Sequence, residues 1–152
     1  MSSFYNFSSN QFFIGTTFDG LTVFNMLKDI EENGSISRNV DKITIWKITK
    51  KYNEQEFIPG KIYPIEVYFG SIGKTNTEYL VNFDYIVEKL KENSIELVTD
   101  DIAKQIGFEK ASNTFDKLFK IIVKDKKKNY SKMSDIEKEY SALNRWFIFQ
   151  KQ

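Results

Sequence analysis

Neither cysteine nor histidine occurs in this 152-residue chain. Without cysteine there are no disulfides and no thiolate metal sites. Without histidine the commonest general base and metal ligand is missing, so acid–base work falls to carboxylates, lysines or tyrosines. Charge of one sign is lacking too. A formal net charge of +1 gives no global attraction to nucleic acid, and any such contact must come from a local patch. No apolar run approaches the ~20 residues that cross a bilayer, and MSSFYNFSSN at the N-terminus lacks a basic region followed by an apolar core. The expectation is a soluble, cytoplasmic protein with no membrane partner. What is present is apolar and aromatic material, 41% and 16% of residues, enough to fill the core of one domain over 1–152. Richness in Lys, Asn and Ile hints at an AT-rich coding sequence.

Periodicity gives the elements. Phe12–Thr16 is a short continuous apolar run, as in a strand buried on both faces. Asp19 stands at an N-cap position, and Leu21, Phe24, Leu27 and Ile30 follow at intervals of three. That spacing predicts a helix ending near Asn33-Gly34. KITIWKIT (42–49) reads as a strand. IYPIEVYF (62–69) reads as another, with Pro64 pointing to an edge position or a late start. Asn82 caps a helix whose apolar face is Phe83, Ile86, Val87 and Leu90, and IELV (95–98) is a strand. The following region is mostly helical, with Phe115, Leu118, Phe119 and Ile122 as its stripe. Ser134 and Glu137 form a capping box for a last helix, and RWFIFQ (145–150) is the closing strand. The order implies an α/β fold with an antiparallel insertion.

Three stretches invite a chemical reading. FGSIGKTN (69–76) contains Gly-Lys-Thr, but the first glycine of a phosphate loop would fall on Tyr68 and no helix begins at Lys74. A strand-to-strand turn is expected there. KDKKKNYSK (124–132) carries five lysines beside Tyr130, either a solvated loop or an RNA-backbone contact. In TNTEYLVNFDYIVEKL (75–90), Glu78 is either a surface or cap residue, or a carboxylate accepting hydrogen bonds from a guanine's N1–H and exocyclic amine. Periodicity does not choose between these.

Three segments together resemble a known family. GKTNTEYLVNFDYIVEKLKENSIELV, FFIGTTFDGLTVFNML and MSDIEKEYSALNRWFIFQK resemble, in order, parts of the C-terminal half of mRNA cap guanine-N7 methyltransferases, in the version found in capping enzymes of large DNA viruses. The resemblance implies the class I, Rossmann-like S-adenosylmethionine-dependent methyltransferase fold. Phe12–Thr16 would be its fifth strand and IELV its sixth, with RWFIFQ as an antiparallel seventh between them. KITIWKIT and IYPIEVYF would form the insertion that walls the cap pocket. Strands one to four, with the S-adenosylmethionine site, would lie outside this chain.

The same resemblance implies a function: the cap-binding portion of a guanine-N7 methyltransferase, as a fragment or split subunit in mRNA 5′ capping. Glu78 would read the guanine. Thr17, Phe18 and Asp19 match the loop that packs near the base, with Phe18 where the family often has proline. Asn144 stands nearest a family tyrosine at the start of the last strand, with Trp146 two residues on. No catalytic residue is assigned, because guanine N7 carries a free lone pair and needs positioning rather than a base. S-adenosylmethionine would be the cofactor, held mainly by residues elsewhere. The partners would be a capped mRNA 5′ end and the missing methyltransferase half or another capping-enzyme subunit. The location would be the host cytoplasm, a viral factory or a virion. The alternative is a non-catalytic subunit that docks on and stimulates a capping enzyme, which predicts an apolar sheet edge beside Phe12–Ile14. A third option is a free-standing RNA-binding module.

Overall fold

The structure, a computed structural model, describes residues 11–124 and 132–152, with side chains from 121 to 124 left aside. Strand β1 (Phe12–Phe18) leads through Asp19 into helix α1 (Gly20–Met26). A meander follows: β2 (Ser35–Val40), β3 (Ile43–Lys50), β4 (Tyr63–Phe69) and β5 (Lys74–Leu80). Helix α2 (Phe83–Lys91), β6 (Ile95–Leu97), α3 (Asp100–Gln105), β7 (Ser112–Thr114) and α4 (Phe115–Lys124) come next. Helix α5 (Asp135–Ala142) then feeds β8 (Asn144–Lys151). The result is mixed α/β, with two sheets whose pairings among the described residues are all antiparallel.

In the first sheet β8 lies between β1 and β6 and runs against both, so β1 and β6 are parallel across it. This is the strand order expected of the closing strand. The second sheet is the meander β2-β3-β4-β5, formed around the two strands expected as an insertion. Its hairpin from β2 to β3 turns on Asp41 and Lys42, both left-handed at φ 47° and 70°. The hairpin from β4 to β5 turns through Gly73 at φ +68°, with Phe69 O accepting from Ile72 and Gly73 N–H. Gly-Lys-Thr is therefore a plain turn running into a strand.

One buried cluster joins α1 (Val23, Phe24) and its C-cap Leu27, the inner face of the second sheet (Trp46, Ile48, Tyr63, Ile65, Leu80) and Leu143 at the root of β8. Full burial of side chains this size contributes about 1.5–3 kcal/mol each, which makes this cluster the main source of stability. A smaller cluster of Val98, Ala103, Ala111 and Ile148 sits against the first sheet.

Several elements differ from expectation. Helix α1 is shorter than the spacing implied: Leu21 is exposed, and Val23 takes the buried position. Ile30 packs on the core from a turn, where Lys50 Nζ donates to the Leu27 and Ile30 carbonyls and so satisfies the helix end. Pro64 lies in an interior strand. It is tolerated because β3 pairs with β4 only as far as Ile65, so no ladder donor is needed at Pro64 on that side. The region expected to be mostly helical contains β7, and Ile122 lies outside the described side chains.

Candidate functional site

The site is built on β5, an edge strand. Residues paired across an antiparallel ladder project to the same face, so Glu78 shares a face with Ile65 and Asn76 with Val67. Ile65 and Val67 are buried, whereas Glu78 and Asn76 are exposed. The inner face of the sheet is thus covered at β4 and at Leu80, and open at Asn76 and Glu78 of β5.

Tyr140 of α5 forms the facing wall. Its helix begins at a complete capping box, with Ser134 and Glu137 each bonding the other's backbone N–H. Two further links hold α5 on the second sheet. Trp46 Nε1 donates to Ile136 O at 3.2 Å, and Arg38 grips Glu139 through two bonds of 2.6 and 2.8 Å. The Tyr140 ring then lies 4.8 Å from Phe69, 5.8 Å from Trp46 and 6.0 Å, edge-on, from Phe18. Burial, and next the Glu78 carboxylate, push its phenol above the ordinary value.

On its other side Tyr140 borders a crevice of about 310 Å³ lined with Thr16, Phe115, Phe119, Met133, Ser141 and Asn144. Phe18 pairs directly with Asn144 and Thr16 with Trp146, so Phe18, Thr16 and Asn144 share one face of the first sheet. The Asn144 amide donates to the Tyr140 and Ser141 carbonyls at 3.2 and 3.4 Å, closing the end of α5.

Of the five residues singled out in the sequence, Phe18 and Asn144 contact Tyr140, and Glu78 lies within electrostatic reach of its phenol but does not line the crevice beside that ring. Thr17 lies elsewhere. It pairs with Arg145 and faces the opposite side, where the Arg145 guanidinium lies 4.1 Å over Phe83 of α2. Asp19 is buried and its carboxylate is engaged: one oxygen accepts from Arg145 Nε at 2.7 Å, the other from the N–H and hydroxyl of Thr22. Asp19 N–H donates to Leu143 O at 2.8 Å, which fastens the start of α1 to the start of β8. Tyr140 went unread because its spacing from Ile136 marks a core stripe. The available signal was a tyrosine in that stripe, a residue with an apolar body and a wet tip.

What the arrangement offers chemically is an exposed carboxylate on β5, near the Tyr140 phenol, that can accept hydrogen bonds from donors on the edge of a base. The residues do not fit S-adenosylmethionine. Gly15 is mid-strand, and a side chain at Gly20 would meet the Val81 carbonyl at 2.4 Å, so this junction is filled by packing rather than open to a phosphate or ribose. No cluster of potential metal ligands occurs among the described residues. The run at 125–131, with most of the lysine-rich loop, lies outside the described residues. Among them no helix is long and apolar enough to cross a membrane. Compared with known proteins, the chain matches no family model and has no significant similarity to a curated protein.

Proposed function

We propose that this chain is the cap-guanine-recognising portion of an mRNA cap (guanine-N7) methyltransferase of Rossmann-like fold, acting as a fragment or split subunit. The observation that carries the reading is Glu78 on an uncovered stretch of a sheet face that is buried at β4, within electrostatic reach of the Tyr140 phenol. An edge carboxylate of this kind accepts from N1–H and the exocyclic amine of guanine, while adenine offers no matching pair of donors. The order of β1, β8 and β6 supports the same fold family. The chain's part in the reaction is to orient the base so that N7 faces a methyl donor held by another polypeptide; positioning is the contribution.

The test is binding of a methylated cap analogue to the purified chain by fluorescence quenching or calorimetry. Glu78→Ala is expected to weaken binding by about five- to 150-fold and to abolish preference for guanine over adenine, in line with about 1–3 kcal/mol for a bidentate base contact. Unchanged affinity rejects the assignment of Glu78. Radiolabelled S-adenosylmethionine is expected to give no methyl transfer with this chain alone.

A second reading, a non-catalytic subunit that docks on a capping enzyme, is favoured by a separate observation. β1 is a sheet edge among the described residues, and Phe12, Phe13 and Ile14 on it are exposed. Failure of the Glu78 test leaves this second reading standing.

A further inference from the structure

The two hairpin turns of the second sheet lie at one end of it. Val40 pairs with Ile43 across the turn at Asp41 and Lys42. Gly70, which opens the turn between β4 and β5, donates its N–H to Ile45 O at 2.7 Å. A side chain at Gly70 would meet the Thr44 carbonyl at 2.7 Å, so this second turn rests against the start of β3. Three aliphatic side chains crown the shared end: Val40, Ile43 and Ile72, 46%, 66% and 62% exposed. Lys42, Lys47 and Lys74 stand around them, all exposed, and none makes a hydrogen bond or ion pair among the described residues. On other surfaces Lys51, Lys61, Lys89 and Lys110 sit against carboxylates. Nearby acids leave the charge of the tip standing. Asp41 is one against three, and Glu139 and Asp135 of α5 are taken up by Arg38 and Lys138. Lys42 holds φ 70°, a backbone that glycine adopts without strain, yet a charged side chain is placed there.

From this juxtaposition we infer that the two hairpin tips form a docking surface for an anionic lipid bilayer. Ile43 and Ile72 enter the boundary between headgroups and acyl chains, and the three lysines lie among the headgroups. Apolar burial at that boundary, together with attraction to anionic lipids, is what holds a peripheral protein on a membrane. The make-up of the tip argues against other occupants. Protein interfaces are enriched in aromatic residues and arginine and poor in lysine. A nucleic-acid strand needs rings to stack on, and Val40, Ile43 and Ile72 are all aliphatic. Lysine stems, by contrast, lie along apolar surface while their ammonium groups reach charged headgroups. The sequence-based expectation of no membrane partner rests on the lack of a spanning run, which bears on crossing a bilayer and not on resting against one. The inference uses none of the residues of the cap reading and is independent of it.

The test is cosedimentation of the full chain with vesicles of phosphatidylcholine and phosphatidylserine, set against vesicles of phosphatidylcholine alone. Binding is expected to the anionic vesicles and to fall as salt is raised. Ile43→Ser and Ile72→Ser are each expected to weaken it roughly tenfold. Lys42→Gln and Lys74→Gln are each expected to weaken it about fivefold. Ile62→Ser alters an isoleucine of similar exposure just ahead of β4, at the opposite end of the sheet, and is expected to change nothing. The absence of cysteine supplies a second readout that needs no apolar-to-polar change in the other tip. A polarity-sensitive dye on Ile72→Cys is expected to shift to the blue when anionic vesicles are added, and the same dye on Ile62→Cys to stay unmoved. If a serine variant fails to fold, the dye decides. No binding to phosphatidylserine vesicles, equal binding to neutral ones, or binding indifferent to the tip substitutions overturns the proposal. Retention of single-stranded RNA that is lost with the same lysine substitutions, with vesicles left unbound, overturns it too and gives the tip to nucleic acid.

Discussion

Two buried polar groups, the Tyr52 hydroxyl and the Asp19 carboxylate, have opposite effects on stability. The Tyr52 ring stacks on Phe24 at 5.3 Å, and Lys50 Nζ lies 4.9 Å from its centre, yet the Tyr52 hydroxyl is buried without a hydrogen-bond partner. Burial, then the nearby Tyr63 and Glu54, push its phenol from 10.0 up to about 12. The folded state therefore keeps a proton that the unfolded chain releases near pH 10. Stability present below that pH is lost as pH rises toward about 12. Tyr52→Phe keeps the ring and removes the orphan oxygen. It is expected to raise stability by about 1 kcal/mol at neutral pH and to flatten the alkaline limb, as urea unfolding at several pH values would show. Asp19→Ala has the opposite effect. It removes an N-cap and strands Arg145, which is mostly buried and over Phe83, so a loss of about 2–4 kcal/mol is expected in the same assay. Asp19→Asn, which keeps the cap acceptor, is expected to cost less.

At the scale of elements, α5 decides the candidate site. Its capping box, the Trp46 bond to Ile136 and the Arg38–Glu139 fork fix the helix, and the helix fixes Tyr140. Ser134→Ala is expected to cost about 1 kcal/mol of stability. It should also weaken cap-analogue binding although Ser134 touches no base, and a variant that loses stability while binding unchanged would show that Tyr140 does not depend on its helix start. The capping box was legible in the sequence, as were the caps at Asp19 and Asn82, because each sets a local donor against a local acceptor. The strand at 74–80 was not. Lys, Thr, Asn and Glu give it no apolar alternation, and it exists because β4 offers it a ladder. β2 escaped notice for the same reason. Glu78 stood out in the sequence at a boundary between polar and apolar residues, and family resemblance alone chose between a surface role and a guanine-reading one. Which way Glu78 points follows from register with Ile65, a non-local fact no window of sequence holds.

The described residues form two sheets with one tryptophan in each: Trp46 in β3 and Trp146 in β8. The sheets share the core through α1, Leu143 and α5, and Asp19 fastens the start of α1 to the start of β8 through Leu143 and Arg145. They should unfold as one unit. Trp46→Phe and Trp146→Phe variants each leave one fluorophore reporting on one sheet. In each variant the fluorescence and circular dichroism midpoints in urea are expected to coincide. Separate midpoints for the two probes would mean that the sheets hold together independently.

The 2.8 Å bond from Asp19 N–H to Leu143 O sits at the far end of the helix that carries Tyr140. Anything lodged against that ring restrains α5, and the restraint reaches this single peptide group through three residues of chain. Deuterium uptake at Asp19 is thus a gauge of occupancy that can be read remotely, without a label on the guest and without touching the walls of the hollow.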